Sequence, residues 1–235
     1  MGKEEKKKEA AERWLDGYLQ RVGVPELYRS YRKLEWESDT ENRQAAATFV
    51  ESIAGGIAEG HAANGVVFHG PVGTGKTLLA VGIITKLWWA RLRKKISPPD
   101  FSALFVSAAR LPDRLRVDAM KGRPFAQIPD WNANGSGRIH YLFSELCSRQ
   151  IVVLDDFGVG LRTPYACETM YKIIDARKTG LRTTILTTNC NKDQIVELMN
   201  GADHRVCELG NRFMSRLAGM CDFCEVDGED RRLYE

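Results

Sequence analysis

The stretch "GVVFHGPVGTGKTLLAV", residues 65–81, sets the expected fold. An apolar run of strand character passes through a glycine-rich turn straight into an amphipathic run of helical character. Gly70, Gly75, Lys76 and Thr77 satisfy G-x-x-x-x-G-K-[ST], and Gly73 adds another position without a side chain. In a strand–loop–helix setting, backbone N–H groups of the loop and first helical turn converge on phosphate oxygens, and the helix dipole adds positive charge there. Gly70, Pro71, Val72, Gly73, Thr74, Gly75, Lys76, Thr77 and Leu78 are therefore the candidate nucleotide-binding residues. Lys76 is expected to reach the β- and γ-phosphates, and the Thr77 hydroxyl to ligate Mg²⁺.

Two further strand ends complete such a site. "IVVLDDFG" (151–158) places Asp155 and Asp156 where an apolar strand stops. Asp155 is expected in the Mg²⁺ shell, and Asp156 orients or deprotonates the attacking water. Glutamate is more usual in the second role, so the shorter Asp156 implies a slow hydrolytic step. "TTILTTNCN" (183–191) ends in Thr187, Thr188 and Asn189, of which Asn189 either holds the water against the γ-phosphate or merely forms a turn.

Around these stretches, strands at 65–70, 103–108, 150–156 and 183–189 alternate with helices at 76–93, 111–120, 164–178, 192–200 and 210–219. A short strand closes the series near "CDFCEV". Nearly all-apolar strands separated by helices imply a parallel sheet covered on both faces, with ligands at the carboxyl ends of the strands. Residues 121–140 read as a loop. Ahead of the core, a mixed-charge helical pattern puts Trp14, Leu15, Tyr18 and Leu19 on one face, either as packing or as a docking helix for a partner. A further helix is expected from about Thr40 to Ala58.

Composition narrows little beyond this. A chain of 235 residues, 43% hydrophobic, can bury a full core. No apolar run reaches membrane-spanning length and the N-terminus is charged, so a cytoplasmic protein without membrane contact is expected. The six cysteines fall in core-like segments and are expected reduced. A net charge of +3 leaves any nucleic-acid role to local clusters. One such cluster is Lys86, Arg91, Arg93, Lys94 and Lys95 with Trp88 and Trp89; another is Lys121, Arg123, Phe125, Trp131 and Arg138. Cys221 and Cys224 form a C-x-x-C that lacks a second pair and reads better as core than as a zinc site.

The three site stretches in this order resemble the AAA+ branch of P-loop ATPases. "GVPELYRSYRKLEW", "FVSAARLPDRLR", "LDDFG", "ETMYKIIDARKTGLRTTILTTN" and "LGNRFMSRLAGMCDFCEVDGEDRR", closing on Gly228, Asp230 and Arg232, are similar to bacterial DnaC/DnaI helicase loaders and the related IstB transposition ATPases. The resemblance covers about residues 20–232. It implies a three-layer α/β parallel-sheet P-loop NTPase, an AAA+ core without a C-terminal lid, over residues 23–235, preceded by a short helical segment, 1–22. It implies ATP and Mg²⁺ as cofactors, a homo-oligomer with nucleotide at subunit interfaces, and an arginine reaching across from the neighbour. By position that arginine is Arg216, with Arg212 second.

The implied function is loading of a replicative helicase, with binding of single-stranded DNA. The alternative is an IstB-like ATPase on duplex DNA that directs a transposase. A nucleotide-gated scaffold that hardly hydrolyses ATP overlaps with the first. A small-molecule P-loop kinase would not need the paired acids or Asn189.

Overall fold

The computed structural model describes residues 3–29, 41–58, 65–93, 102–111, 115, 127–128, 140–161, 163–201 and 208–230. The elements are α1 (Lys3–Arg21), α2 (Glu26–Arg29), α3 (Glu41–Ala58), β1 (Gly65–His69), α4 (Lys76–Arg93), β2 (Ala103–Ser107) and a 3₁₀ turn at Ala108–Arg110. Then come β3 (Gln127–Ile128), β4 (His140–Tyr141), α5 (Leu142–Ser148), β5 (Ile151–Phe157), α6 (Pro164–Thr179), β6 (Thr183–Thr188), α7 (Lys192–Asn200), α8 (Leu209–Ala218) and β7 (Cys221–Glu225).

Five strands form one sheet in the order β2-β5-β6-β1-β7, every pair parallel. Alternation along each strand sends successive side chains to opposite faces. Val66, Phe68, Phe105, Val153 and Ile185 face α4, α3 and α1, meeting Leu79, Ile83, Leu87, Val50, Ile53, Leu15 and Leu19. Val67, Val106, Val152, Leu154 and Leu186 face α6, α7 and α8, meeting Met170, Ile173, Ile195, Phe213 and Leu217. Phe157 stacks on Phe213 at 5.4 Å between centroids. The result is the expected three layers.

The chain after α1 is bound to the edge of this sheet: Phe105 N–H of β2 donates to the Val22 carbonyl at 2.7 Å. That contact occupies one of the hydrogen-bonding groups of an edge strand. On α1, Leu15, Tyr18 and Leu19 are buried but Trp14 is 68% exposed, so the four residues do not share one buried face. Trp14 lies at the flank of the stripe, where a neighbouring residue is turned by about 100°.

The structure departs from expectation in places. α5 forms where no helix was anticipated, and residues 127–128 and 140–141, within and beside the expected loop, pair antiparallel. Most of the helix expected at 111–120 lies outside the described residues, as do Lys94, Lys95, Lys121, Arg123, Phe125, Trp131, Arg138 and Arg232. The cysteines among the described residues are unbridged. Cys221 and Cys224, three apart on one strand, point into the two different cores and cannot grip one ion. Trp88 and Trp89 meet edge to face at 5.1 Å and pack partly against the core. Lys86 pairs with Glu51 of α3.

Candidate functional site

The loop Gly70–Gly75 joins β1 to α4 at the carboxyl end of the sheet. Two of its glycines are required by neighbours. A Cβ on Gly70 (φ 140) would lie 2.2 Å from the Val226 carbonyl oxygen, and one on Gly73 (φ 78) 1.8 Å from Asp230 Oδ1. Both backbones are in the left-handed half of conformational space that side chains resist. The segment after β7 therefore lies directly against the loop, anchored where Val226 N–H donates to the His69 carbonyl at 2.7 Å.

Lys76 opens α4 and is buried. Its ammonium donates to the carbonyl of Gly70 at 2.9 Å, to that of Pro71, and to Thr74 Oγ1 at 3.5 Å. One residue on, Thr77 Oγ1 donates to Asp155 Oδ1 at 2.9 Å, bringing together two residues 78 apart in sequence. Thr187 Oγ1 of β6 donates to the same oxygen at 2.7 Å. Burial pushes the Asp155 carboxyl above its ordinary range, as does the charge of Asp156, while the Thr187 and Thr77 hydroxyls and the Lys76 ammonium pull it down.

This arrangement fits a divalent cation. Thr77 and Asp155 offer hard oxygen donors side by side, and a carboxylate strained by burial gains from a positive charge beside it. Without the cation the ionised acid is a liability. A carboxyl whose folded pKa lies above its unfolded value costs stability at neutral pH, and the cost is relieved as pH falls through the folded pKa. In EDTA, Asp155→Asn is therefore expected to raise the melting temperature measured by calorimetry. The advantage over wild type should shrink on acidification. A variant less stable than wild type at neutral pH would contradict this account.

Asp156 sits in a bulge. Leu154 pairs with Leu186 and Phe157 with Thr188, so Asp155 and Asp156 together oppose Thr187. Asp156 adopts φ 55, is exposed, and donates its N–H to Thr187 Oγ1 at 3.0 Å. A bulge of this kind re-aims a side chain, and that of Asp156 is left exposed to solvent. Asn189 is exposed just past β6. The turn that carries it is shaped by Thr188, whose hydroxyl donates to the Phe157 carbonyl at 2.7 Å and accepts the Cys190 N–H at 3.0 Å. Asn191 and Gln194 then form a capping box that starts α7.

The arginines lie elsewhere. Arg216 Nε is 2.7 Å from Asp175 Oδ1 on α6. Arg212 pairs with Glu208 one turn before it at 2.7 Å. The fold thus gathers the phosphate loop, both acids and Asn189 at the carboxyl end of the sheet, and leaves Arg216 and Arg212 in the layer opposite α4. Sequence reading missed Thr187 as a ligand of Asp155; the run of two threonines at a strand end was the available signal.

A parallel sheet with a phosphate loop after β1, paired acids near the end of β5 and the β6 strand between them defines a P-loop ATPase. The model of the AAA family, "ATPase family associated with various cellular activities", matches residues 66–208. The chain belongs to this family of ATPases. The replicative helicase loader DnaC of Escherichia coli (strain K12) is 27% identical over 190 residues, 81% of this chain and 62% of DnaC. A putative ATP-binding protein of insertion sequence IS1162 from Pseudomonas fluorescens is 26% identical over 170 residues, 69% of this chain and 62% of that protein. This chain therefore spans under two thirds of the length of either relative. Among solved structures, a DnaC helicase loader superposes with a TM-score of 0.61 at 20% identity, covering 86% of this chain and 100% of the other. DnaI superposes with 0.57 at 19% identity, covering 84% and 88%. Among the described residues, no helix is long and apolar enough to cross a membrane.

Proposed function

We propose that the protein is an ATP-driven helicase loader of the DnaC kind, a cytoplasmic oligomeric switch that binds a replicative helicase and single-stranded DNA. The observation that carries its ATPase half is the apposition of Thr77 and Asp155 at 2.9 Å beside Lys76. The likeness to DnaC over 190 residues supports the rest.

In this reading Lys76 exchanges the carbonyls of Gly70 and Pro71 for the β- and γ-phosphates of ATP, toward which the loop N–H groups converge. Thr77 and Asp155 hold Mg²⁺, whose charge offsets that of the phosphate oxygens. Asp156, turned outward by the bulge, orients the attacking water or takes its proton, and Asn189 fixes that water against the γ-phosphate. Arg216, with Arg212 second, serves the site of a neighbouring subunit. Residues 1–22 form the segment available to a partner and residues 23–235 the ATPase unit.

A second reading, a duplex-DNA ATPase that directs a transposase, is favoured by the similarity to the IS1162 protein. Steady-state ATP hydrolysis measured alone, with single-stranded DNA and with duplex separates the two. Stimulation by single strands is the expected result. Stimulation by duplex alone transfers the assignment to the transposition reading, and turnover indifferent to both DNAs removes both.

A further inference from the structure

We infer that Thr187 is a positioning residue for both acids of the site, its one hydroxyl fixing the carboxylate of Asp155 while pinning the bulge that turns Asp156 outward. The inference rests on the reading of Asp155 and Asp156 as the acids of an ATP site.

The sheet order creates the need. β6 lies between β1, which leads into the phosphate loop, and β5, which carries the acids. The end of β6 is therefore the seam across which Thr77 and Asp155 must meet. Thr187 stands at that seam, 1% exposed, and is the single residue that opposes the pair Asp155–Asp156. A hydroxyl has one proton and two lone pairs. The Asp156 N–H can only donate, and it reaches Thr187 Oγ1 at 3.0 Å. The hydroxyl proton is thereby committed to Asp155 Oδ1 at 2.7 Å. With Thr77 donating to the same oxygen from α4, the carboxylate is oriented from two elements at once.

The other half of the role concerns backbone. At φ 55, Asp156 occupies a conformation that a residue with a side chain adopts only when its surroundings impose it. Thr187 is the side chain that holds the amide of that residue. Loss of the hydroxyl leaves an N–H and a carboxylate in the seam without this partner, while the strand itself keeps its apolar packing. Serine retains the hydroxyl and valine retains the shape.

The test compares Thr187→Val, Thr187→Ser and wild type as full chains. Three readouts are used: affinity for a fluorescent ATP analogue with Mg²⁺ and in EDTA, the kcat and KM for ATP, and amide hydrogen exchange over residues 155–161. The valine variant should bind the analogue in EDTA as wild type does and lose about tenfold or more of the affinity that Mg²⁺ adds. Its kcat should fall about 10- to 100-fold with KM moved less, and exchange protection at Asp156 should be lost. Serine should restore all three. A valine variant with wild-type Mg²⁺ dependence and kcat, or a folded serine variant with valine's defects, would overturn the inference. If valine compromises folding by circular dichroism, Thr187→Ala is measured with the same expectations. Lys76→Ala run in parallel isolates the underlying reading: unchanged analogue binding in EDTA by that variant would count against the phosphate loop, not against Thr187.

Discussion

Replacing Arg216 by alanine is expected to lower ATP turnover on the order of 10³-fold or more, the scale on which an arginine acting on a transferring phosphoryl group operates. Mixing that inactive protein with equally inactive Lys76→Ala protein should bring turnover back. The reason lies in where the fold puts the two residues. Lys76 opens α4 on one face of the sheet, and Arg216 sits on α8 against the other, paired with Asp175 of α6. From that layer it is expected to serve the phosphate loop of a neighbouring chain rather than its own. Arg216 and Asp175 are both well exposed, at 44% and 40% of their side chains, so water screens the pair and the arginine leaves it at little cost when a γ-phosphate is offered. In a mixed oligomer, the Lys76→Ala subunit contributes an intact Arg216 to a neighbour whose loop is intact. Steady-state hydrolysis at fixed total protein, with the mixing ratio varied, reads this directly. An Arg216→Ala protein that turns over at the wild-type rate, or a mixture that stays inactive, would mean that Arg216 does not act across subunits.

Much of this architecture is written where periodicity and chemistry coincide. The helix expected at 76–93 is α4 at Lys76–Arg93, and that expected at 192–200 is α7 at Lys192–Asn200. In both, a loop with strong local preferences hands over to a regular apolar pattern. α5, Leu142–Ser148, carries only two turns and follows a long polar stretch, so its pattern was too short to stand out. The strand order is a different matter. Nothing local in "TTILTT" says that it lies between β1 and β5, and without that order Thr187 is one strand threonine among several. Trp14 misled for a related reason: neighbours on a helix can fall on either side of the boundary between core and solvent, which the partner elements decide. The pairing of Arg216 with Asp175 depends on how α8 packs against α6, which no spacing encodes.

Arg177 was legible and passed over. It continues the stripe Ala166, Met170, Ile173, Ile174 along α6, at the three- and four-residue spacing of a buried face, and it is fully buried. Among the described residues, no carboxylate pairs with it. Instead Nε donates to Thr184 Oγ1 at 2.9 Å, Nη1 to the carbonyls of Leu146 at 2.7 Å and Arg149 at 2.9 Å, and Nη2 to that of Thr183. Leu146 and Arg149 lie at the end of α5, so the guanidinium satisfies carbonyls that a helix terminus leaves without partners, at the negative end of its dipole. Burial pulls the Arg177 pKa down to about 10, which still leaves it charged at neutral pH. One side chain thus joins α5, α6 and the start of β6, the strand that carries Thr187 and Asn189 to the site. Arg177→Ala removes four hydrogen bonds and opens a cavity, for an expected loss of about 3–5 kcal/mol. At roughly 2–4 °C per kcal/mol, the melting temperature should fall by about 10 °C. Arg177→Met, which fills the volume but donates nothing, should recover only the packing share. Arg177→Lys, with its charge at a single point, should fall between methionine and wild type because it cannot reach all four acceptors. Calorimetric melting of the three variants decides it: an alanine variant within about 2 °C of wild type would show that the carbonyls of α5 and β6 find water or one another without this arginine.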